Sequence, residues 1–598
     1  MTLTSCSPIL DSKVNFVLIQ NLGLGRFGYS GEALNPAPEL RVYQIFPSLM
    51  LYTDLNESVS LQAFSDSSCH TPLSSDRFTG TSSVSLSGGI AQFSDFIVTL
   101  PQPQESTIYF SGTLGSQSMH TCSQSFSILQ HFNLGKGFVH FGSPGVAGAN
   151  SLSTVNDVGR IHRVTSEGNF ILAGTSKNLN GGTEMALWRY LPTGALDPSF
   201  NSTGYQHSGP VGAAGATSSQ EDELVVDLQI TSLGDYLVLG KSKNTSGGYE
   251  IALWKIKPDG SFDSSFASSG VFHSGTPGVT GNALAGSVLD YPRSMALDRD
   301  GKIIVTGSSL NPNGGRELFV LRLNPNGSID SSFGNSGIYR FGSPGLAGAT
   351  GSFEHDIGYS VQITAQGAYI IAGTSRNPSN QYQLAVWKLL ASGLTLDSTF
   401  GSQGTLTYGS TGAALGSGSQ LKDIGRSLQI DPEGNLIIAG SSNNPIGLPE
   451  MALWKYSSQG ALDTQFGNSG VLHSGSTRSA AGLGSSYWDE GYSVVVDAAQ
   501  KHYLVSGSSK NADSGTQAAL WRVSFDGSWD PTFNFYGSAF TPETGSDEQM
   551  TSATVLDQAY SISLDPVQTY TLVGSSKNSS GGTELAIWRF LNLGILNR

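Results

Sequence analysis

The sequence predicts an all-β protein: a seven-bladed β-propeller of four-stranded blades, closed by an amino-terminal strand and preceded by a β-sandwich. Three observations predict it. An apolar run holding a tryptophan and a following base recurs as "MALWRY" at Trp188, "IALWKI" at Trp254, "LAVWKL" at Trp387, "MALWKY" at Trp454, "AALWRV" at Trp521 and "LAIWRF" at Trp588, with "LFVLRL" and Leu321 filling the one gap. The spacings are 66, 67, 66, 67, 67 and 67 residues, a period that marks repeated structural units. Within a unit, four short segments read as strands between turn residues; in the fifth copy they are "RSLQID", "NLIIAGSS", "EMALWKYS" and "GVLHSG". The second and third are almost continuously apolar, as strands buried on both faces are. Finally, the last unit is split. The chain's final copy ends at "FLNLGILNR" without a fourth segment, whereas residues 132–145, "FNLGKGFVHFGSPG", match the fourth segment "FGNSGIYRFGSPG" at Phe333. An open blade edge is filled by that orphan segment if the array closes on itself. An open solenoid has no need of this complementary remainder.

Composition narrows the classes of function. Gly accounts for 75 of 598 residues and charged residues for 13%, so the chain is dense in turns and poor in charge. With 38% hydrophobic residues in short recurring runs it is a folded protein rather than a disordered one. No run reaches the roughly 18 apolar residues of a membrane helix. The formal net charge of -15 opposes binding to phosphate backbones and anionic membrane surfaces, so nucleic acid is not an expected partner.

The elements follow in order. Residues 1–13 form a leader-like segment in which "LTSC", Leu3 to Cys6, resembles a bacterial lipobox, whose cysteine is lipidated. Only five residues precede Cys6, too few for a signal sequence, so either the start lies upstream or the match is chance. Residues 14–129 carry short alternating segments ("LRVYQIF", "VSLQAF", "TIYFSGTL", "SQSFSIL") at a spacing that suggests a β-sandwich. The stretch "GGIAQFSDF" with a closing "SFSI" resembles bacterial immunoglobulin-like modules of surface proteins. Cys69 and Cys122 both fall in this domain and are expected to pair as a disulfide, which implies an oxidising compartment; two unpaired thiols are the alternative. Residues 130–598 hold the repeats of about 67 residues. Units such as "GTSKN" followed by "LWRYLPTGALDPSF" resemble the bacterial delta-60 repeat family. The resemblance implies a propeller in exported bacterial proteins, with no general activity attached.

Features common to all seven units are read first as architecture. Every second strand ends in G-x-S-x-N, from Gly174–Asn178 to Gly574–Asn578, where Ser and Asn are expected to bond their own loop backbone. The base after the tryptophan position precedes an Asp by eight or nine residues, as in Arg189 and Asp197, Lys255 and Asp263, or Arg522 and Asp530, and predicts an ion pair within the blade. Asn597 replaces the Asp in the last copy. His140, His207, His273 and His473 recur on fourth strands, too far apart in a propeller to share a metal.

The sharpest recurrent feature is acidic. Asp157, Glu223, Asp290, Asp356, Asp423, Asp489 and Asp557 each start the first, innermost strand of a unit, which predicts a ring of carboxylates at the channel mouth. At a separation on the order of 6 Å such charges repel by roughly 1 to 3 kcal/mol per pair. The ring is therefore read either as a network offset by backbone amides and by Lys177, Lys243, Arg376, Lys510 and Lys577, or as a site for a cation or cationic ligand.

The expected function is that of a non-catalytic binding or adhesion scaffold at a bacterial cell surface, exported as a surface lipoprotein or secreted. Its ligand, an extracellular protein or a glycan, is expected on the face carrying the long Gly/Ala-rich loops between fourth and first strands, since long loops on a rigid scaffold carry binding. Two of these loops are acidic. Glu221, Asp222, Glu223, Glu543, Asp547 and Glu548 gather in neighbouring sectors, and Asp222, Glu223, Asp547 and Glu548 are the candidate ligand-binding residues. Such oxygen-rich groups suit calcium, although no cofactor is required. There is no H-E-x-x-H, phosphate loop, G-x-S-x-G elbow or propeller cysteine to mark an enzyme. The alternative function is an extracellular polysaccharide hydrolase or lyase using paired carboxylates on that face.

Overall fold

The computed structural model is nearly all β, and its repeats form the seven-bladed propeller of four-stranded blades. It describes residues 155–590 apart from short segments, of which 276–288, 476–487 and 542–554 are the longest, and before them mainly strand positions. Two units separate: 1–133 with 192–194, and 134–191 with 195–598.

In the second unit every blade is an antiparallel meander in the order first, second, third, fourth strand. Blade 1 comprises Val158–Val164, Phe170–Lys177, Thr183–Tyr190 and Tyr205–His207. The first strands of blades 2 to 7 are Glu223–Ile230, Asp290–Leu297, Ile357–Ile363, Asp423–Ile430, Asp489–Asp497 and Gln558–Leu564. Each of these packs on the first strands of both neighbouring blades, blade 7 on blade 1 included, so they ring the axis. Phe138–Phe141 is the fourth strand of blade 7: it pairs antiparallel with Thr583–Phe590 in the register Phe138 to Trp588 and Phe141 to Leu585. The ring thus closes through the amino-terminal segment, as the divided seventh unit predicts.

The apolar second and third strands supply the core, which lies between blades rather than within them. The six repeat tryptophans are no more than 2% exposed, and Leu321 takes their place in blade 3. Ile304, Leu318, Val320 and Phe333 of blade 3 pack with Val361, Tyr369, Ile371 and Trp387 of blade 4 in one cluster. The Phe that follows each ion-pair Asp meets the next blade; Phe200 on Tyr236, Phe333 on Tyr369 and Phe533 on Tyr570 are edge-on pairs with centroids 5.8 to 6.0 Å apart. A blade alone therefore leaves both faces unburied.

The ion pairs anticipated from the Trp–base–Asp spacing are present in six blades. Nitrogen to oxygen distances are 2.7 Å for Arg189–Asp197, 3.0 Å for Lys255–Asp263, 2.8 Å for Arg322–Asp330, 3.1 Å for Lys388–Asp397, 3.6 Å for Lys455–Asp463 and 2.5 Å for Arg522–Asp530. Several of these bases also reach the next blade, as where Arg322 donates to the carbonyl of Ala391 and to the Tyr369 hydroxyl. In blade 7 Arg589 donates instead to Thr569; Asn597 lies outside the described residues.

The first unit holds two larger sheets. One is centred on Glu39–Gln44, which pairs with Phe16–Gln20, Met50–Leu51 and Ile90–Gln92; the other on Ser106–Leu114, which pairs with Ser58–Phe64, Gln117–Met119 and Phe126–Leu129. Cys6, Cys69 and Cys122 lie outside the described residues. Among the described residues no helix is long and apolar enough to cross a membrane.

Candidate functional site

The seven acidic residues are not at the channel mouth. All are 0% exposed; Asp157 Oδ1 and both carboxylate oxygens of Asp423 lack a hydrogen-bond partner, and the partners of the others are hydroxyls and backbone amides. The Ser of the blade's own G-x-S-x-N donates to the acid: Ser242 to Glu223, Ser309 to Asp290, Ser509 to Asp489 and Ser576 to Asp557, at 2.5 to 3.1 Å, and Ser375 to Asp356. A second donor comes from the chain leaving the preceding fourth strand. It is a hydroxyl from Ser274 to Asp290, Ser474 to Asp489 and Thr541 to Asp557, and a backbone amide from Ala213 to Glu223 and Leu346 to Asp356. The next amide of such a loop binds the Ser in turn, Ala214 to Ser242 and Ala347 to Ser375.

These contacts explain the Gly/Ala-rich loop sequence. A Cβ at Gly345 would lie 2.9 Å from the Asp356 carboxylate and one at Gly412 2.6 Å from that of Asp423, so the loop approaches only as glycine. Burial is the main cause that raises these carboxyls: Asp157 and Asp356 are pushed up to about 6 and Asp423 to about 7. The expected channel-mouth ring is corrected accordingly. Among the described residues these acids face inward, and those of blades 2 and 4 tie the long loop before them to its blade.

What the inner strands expose is different. The first strand of every blade carries a β-bulge at the same place, between Gly159 and Ile161, Val225 and Asp227, Pro292 and Ser294, Gly358 and Ser360, Gly425 and Ser427, Gly491 and Ser493, and Ala559 and Ser561. The Gly of G-x-S-x-N is what admits it. A Cβ at Gly174, Gly373, Gly440, Gly507 or Gly574 would stand 1.7 to 1.9 Å from a first-strand carbonyl oxygen. The extra residue is left out of the ladder, and a bulge re-aims its side chain. The seven bulged residues are Arg160, Val226, Arg293, Tyr359, Arg426, Tyr492 and Tyr560.

These side chains pair across blades around the axis. The guanidinium of Arg160 lies 4.3 Å from the ring centroid of Tyr560, Arg293 lies 5.3 Å from Tyr359, and Arg426 lies 5.4 Å from Tyr492. Arg426 also pairs with Glu490 at 2.8 Å, and the rings of Tyr492 and Tyr560 lie 5.3 Å apart. Beside them in blades 2 to 4, Lys241 stands 3.6 Å from Tyr249 and 5.2 Å from Tyr291, Arg316 lies 4.4 Å from Tyr291, and Arg376 lies 5.3 Å from Tyr382. Lys241 occupies the x of G-x-S, which is Ser or Thr in the other six blades. The groups feel one another's charge. Burial lowers the Arg293 guanidinium from its ordinary value and Arg316 and Arg426 lower it further, while burial with Arg316 and Arg376 pushes His355 down to about 4.

Two acids of the expected acidic loop sector are likewise turned inward. Glu221 and Glu223 are buried, and burial with the charges of Glu223 and Glu184 pushes Glu221 up to about 9. Asp222 accepts from the hydroxyls of Tyr249 and Thr183 and lies against Lys241, so its surroundings are basic. Glu543, Asp547 and Glu548 lie outside the described residues. Each G-x-S-x-N Asn closes a turn as expected; Asn444, for instance, accepts from the amides of Ile446 and Leu448 at 3.1 and 3.0 Å. His207, His273 and His473 each bond a third-strand glutamate, Glu184, Glu250 and Glu450, a pairing that sequence reasoning missed. The side chain of His140 lies outside the described residues. Among the described residues no group of three or more His, Cys, Asp or Glu is placed to hold a metal ion.

Three segments of the chain, residues 168–200, 234–266 and 299–333, match the family described as a domain of unknown function (DUF5122) beta-propeller. They are corresponding parts of blades 1, 2 and 3. No curated protein matches the chain. Solved structures similar to it include a Hadza microbial sialidase, at 10% identity over 90% of this chain and 90% of that one with a TM-score of 0.33. An ulvan lyase bound to its saccharide is 10% identical over 76% of this chain and 97% of that one, with a TM-score of 0.36. A Trypanosoma rangeli sialidase is 9% identical over 77% of this chain, which spans 57% of that one, with a TM-score of 0.33. Likeness at this level carries no inference about activity. The matched segments and the closed ring of seven sheets together make the chain a β-propeller repeat protein.

Proposed function

We propose that the protein is a non-catalytic binding scaffold, exported to a bacterial cell surface, whose ligand enters the propeller at the bulged inner ring from the long-loop face. One observation carries this reading. Loop clamp, turn and ion pair recur from blade to blade, whereas the bulged layer changes from Arg to Val to Tyr around the axis. A scaffold that holds seven positions at constant geometry while varying their chemistry presents an asymmetric surface on a rigid frame, which is what recognition of one ligand needs. The carboxylates nearest this layer are engaged, Glu490 with Arg426 and Asp222 with two hydroxyls, which supports binding over general acid and base work. Surface location rests on the expected Cys69–Cys122 disulfide, on Cys6 and on the delta-60-like repeats.

The test is binding of the full chain to bacterial envelope preparations and a glycan array, beside a Tyr492→Ala, Tyr560→Ala variant. Retention of the wild-type protein with at least tenfold weaker retention of the variant is expected. Equal retention of both would remove the inner ring as the recognition surface.

A further inference from the structure

The bulged ring has a chemistry of its own. Among the described residues, the bulged Arg160, Arg293 and Arg426 with Lys241, Arg316 and Arg376 beside them set six bases against the acids Asp222 and Glu490, in a chain whose formal net charge is -15. Part of their hydrogen-bonding capacity is unspent, although Arg426 pairs with Glu490. The Nε atoms of Arg160, Arg293, Arg376 and Arg426 are buried without an acceptor, and so is Nδ1 of His355. A buried guanidinium N–H left unpaired costs free energy, and several around one axis are a standing demand for acceptors. The arginines at the bulged positions, Arg160, Arg293 and Arg426, belong to blades 1, 3 and 5, so they approach the axis from separate directions; burial lowers Arg293, and the charge of Arg426, two blades away, lowers it further.

We propose that the axial channel binds a small oxyanion-bearing ligand, a carboxylate, sulfate or phosphate group held by Arg160, Arg293 and Arg426, with the ring or body that bears it against Tyr359, Tyr492 and Tyr560. This deepens the binding reading above and rests on the same layer of residues. Two oxygens of a carboxylate, sulfate or phosphate match the forked donors of arginine, and the low-dielectric walls of a channel focus the field of such bases on an anion. The tyrosines already carry the guanidinium groups on their faces, so each arginine is held in place before a ligand arrives. Such a site inverts the expectation of a cationic ligand at an acidic mouth, because the seven acids are buried.

The test is calorimetry on the full chain with sodium sulfate, inorganic phosphate, glucuronate and, as a neutral control, glucose, at low and high sodium chloride. Sulfate or phosphate and glucuronate should bind and weaken at least tenfold at high salt, while glucose should not bind. Tighter binding of glucuronate than of the inorganic ions identifies a sugar-borne oxyanion; the reverse identifies a free one. Arg293→Gln should weaken every anion at least tenfold with little change in thermal midpoint, and Arg293→Lys should restore part of the loss. Arg160→Gln serves in the same way if Arg293→Gln does not fold. Absence of binding by all three anions, equal binding of glucose, or unchanged affinity in folded Arg→Gln protein each overturns the proposal. Anion binding by a protein that ignores envelopes and glycans leaves the channel site standing and defeats the surface-scaffold reading alone.

Discussion

Gly440 shows how much one residue of a repeat can carry. Its second-strand position brings it against the carbonyl of Ile424, where a Cβ would stand at 1.8 Å, because the first strand bulges there to lift Arg426 out of the ladder. Gly440→Ala must flatten the bulge or part the strands, an overpacking that costs roughly 1 to 3 kcal/mol. The expected outcome is a lower midpoint in urea unfolding together with weaker anion binding, since Arg426 moves with the bulge. Gly342→Ala, where an added Cβ meets nothing within 4 Å, should leave both unchanged. A midpoint unaffected by Gly440→Ala would mean that the bulge is not tied to this glycine. In the sequence the G-x-S-x-N motif was legible as recurrent, and its Asn was read correctly as a turn former. Its Gly and Ser were not, because a motif at the end of one strand does not reveal which neighbouring strand or loop leans on it. The bulged residues left a fainter signal: the third residue after each acid has no common identity, and only alignment of the seven units brings Arg160, Arg293 and Arg426 into one column.

At the scale of the element, the repeating partners are the loop and the acid beneath it. The position of the acids at the start of the inner strands was legible, but not the direction of their side chains. Alternation along a strand tells which residues share a face, and the bulge three residues on interrupts that alternation, so the period alone could not separate a channel-facing carboxylate from one turned into the loop. Burial of these groups has a consequence in pH. Unfolded, such carboxyls ionise near 3.8, whereas folded Asp157 and Asp356 hold their proton to about 6 and Asp423 to about 7. Between those values the folded chain binds more protons than the unfolded one, so this contribution to stability is present at low pH and is lost as pH rises through 6 to 7. His273, raised by its bond to Glu250, acts in the same direction. Asp263 acts in the opposite one: held down to about 2 by Ser265 and Lys255, it loses its contribution as pH falls through that value. Thermal midpoints measured across pH should therefore peak at about pH 4 to 5, on the acid side of the usual range. A midpoint that rises steadily from pH 5 to 8 would show that the loop clamps are ionised at no cost.

The molecule as a whole was the most legible part. A constant period, four strand-like segments per unit and a divided last unit suffice to predict a closed ring, because each is a statement about backbone pairing and burial that does not depend on where a side chain points. Closure repeats at the seam what holds elsewhere: Asp157 donates its amide to the carbonyl of Thr583 at 2.9 Å as Asp557 does to Thr516 at 2.8 Å, and buried His162 reaches Ser561 and Ser563 across the last interface. The site was less legible, since its charge is the reverse of the chain's and arises only when the bulges of alternate blades converge on the axis. The central claim is that this convergence makes an anion site inside a closed acidic propeller. It is tested most directly by a crystal structure of the full chain soaked in selenate, with anomalous scattering locating the selenium. The account predicts a peak on the axis within hydrogen-bonding reach of Arg160, Arg293 or Arg426; a channel without anomalous density, in crystals that bind selenate at outer bases, would contradict it.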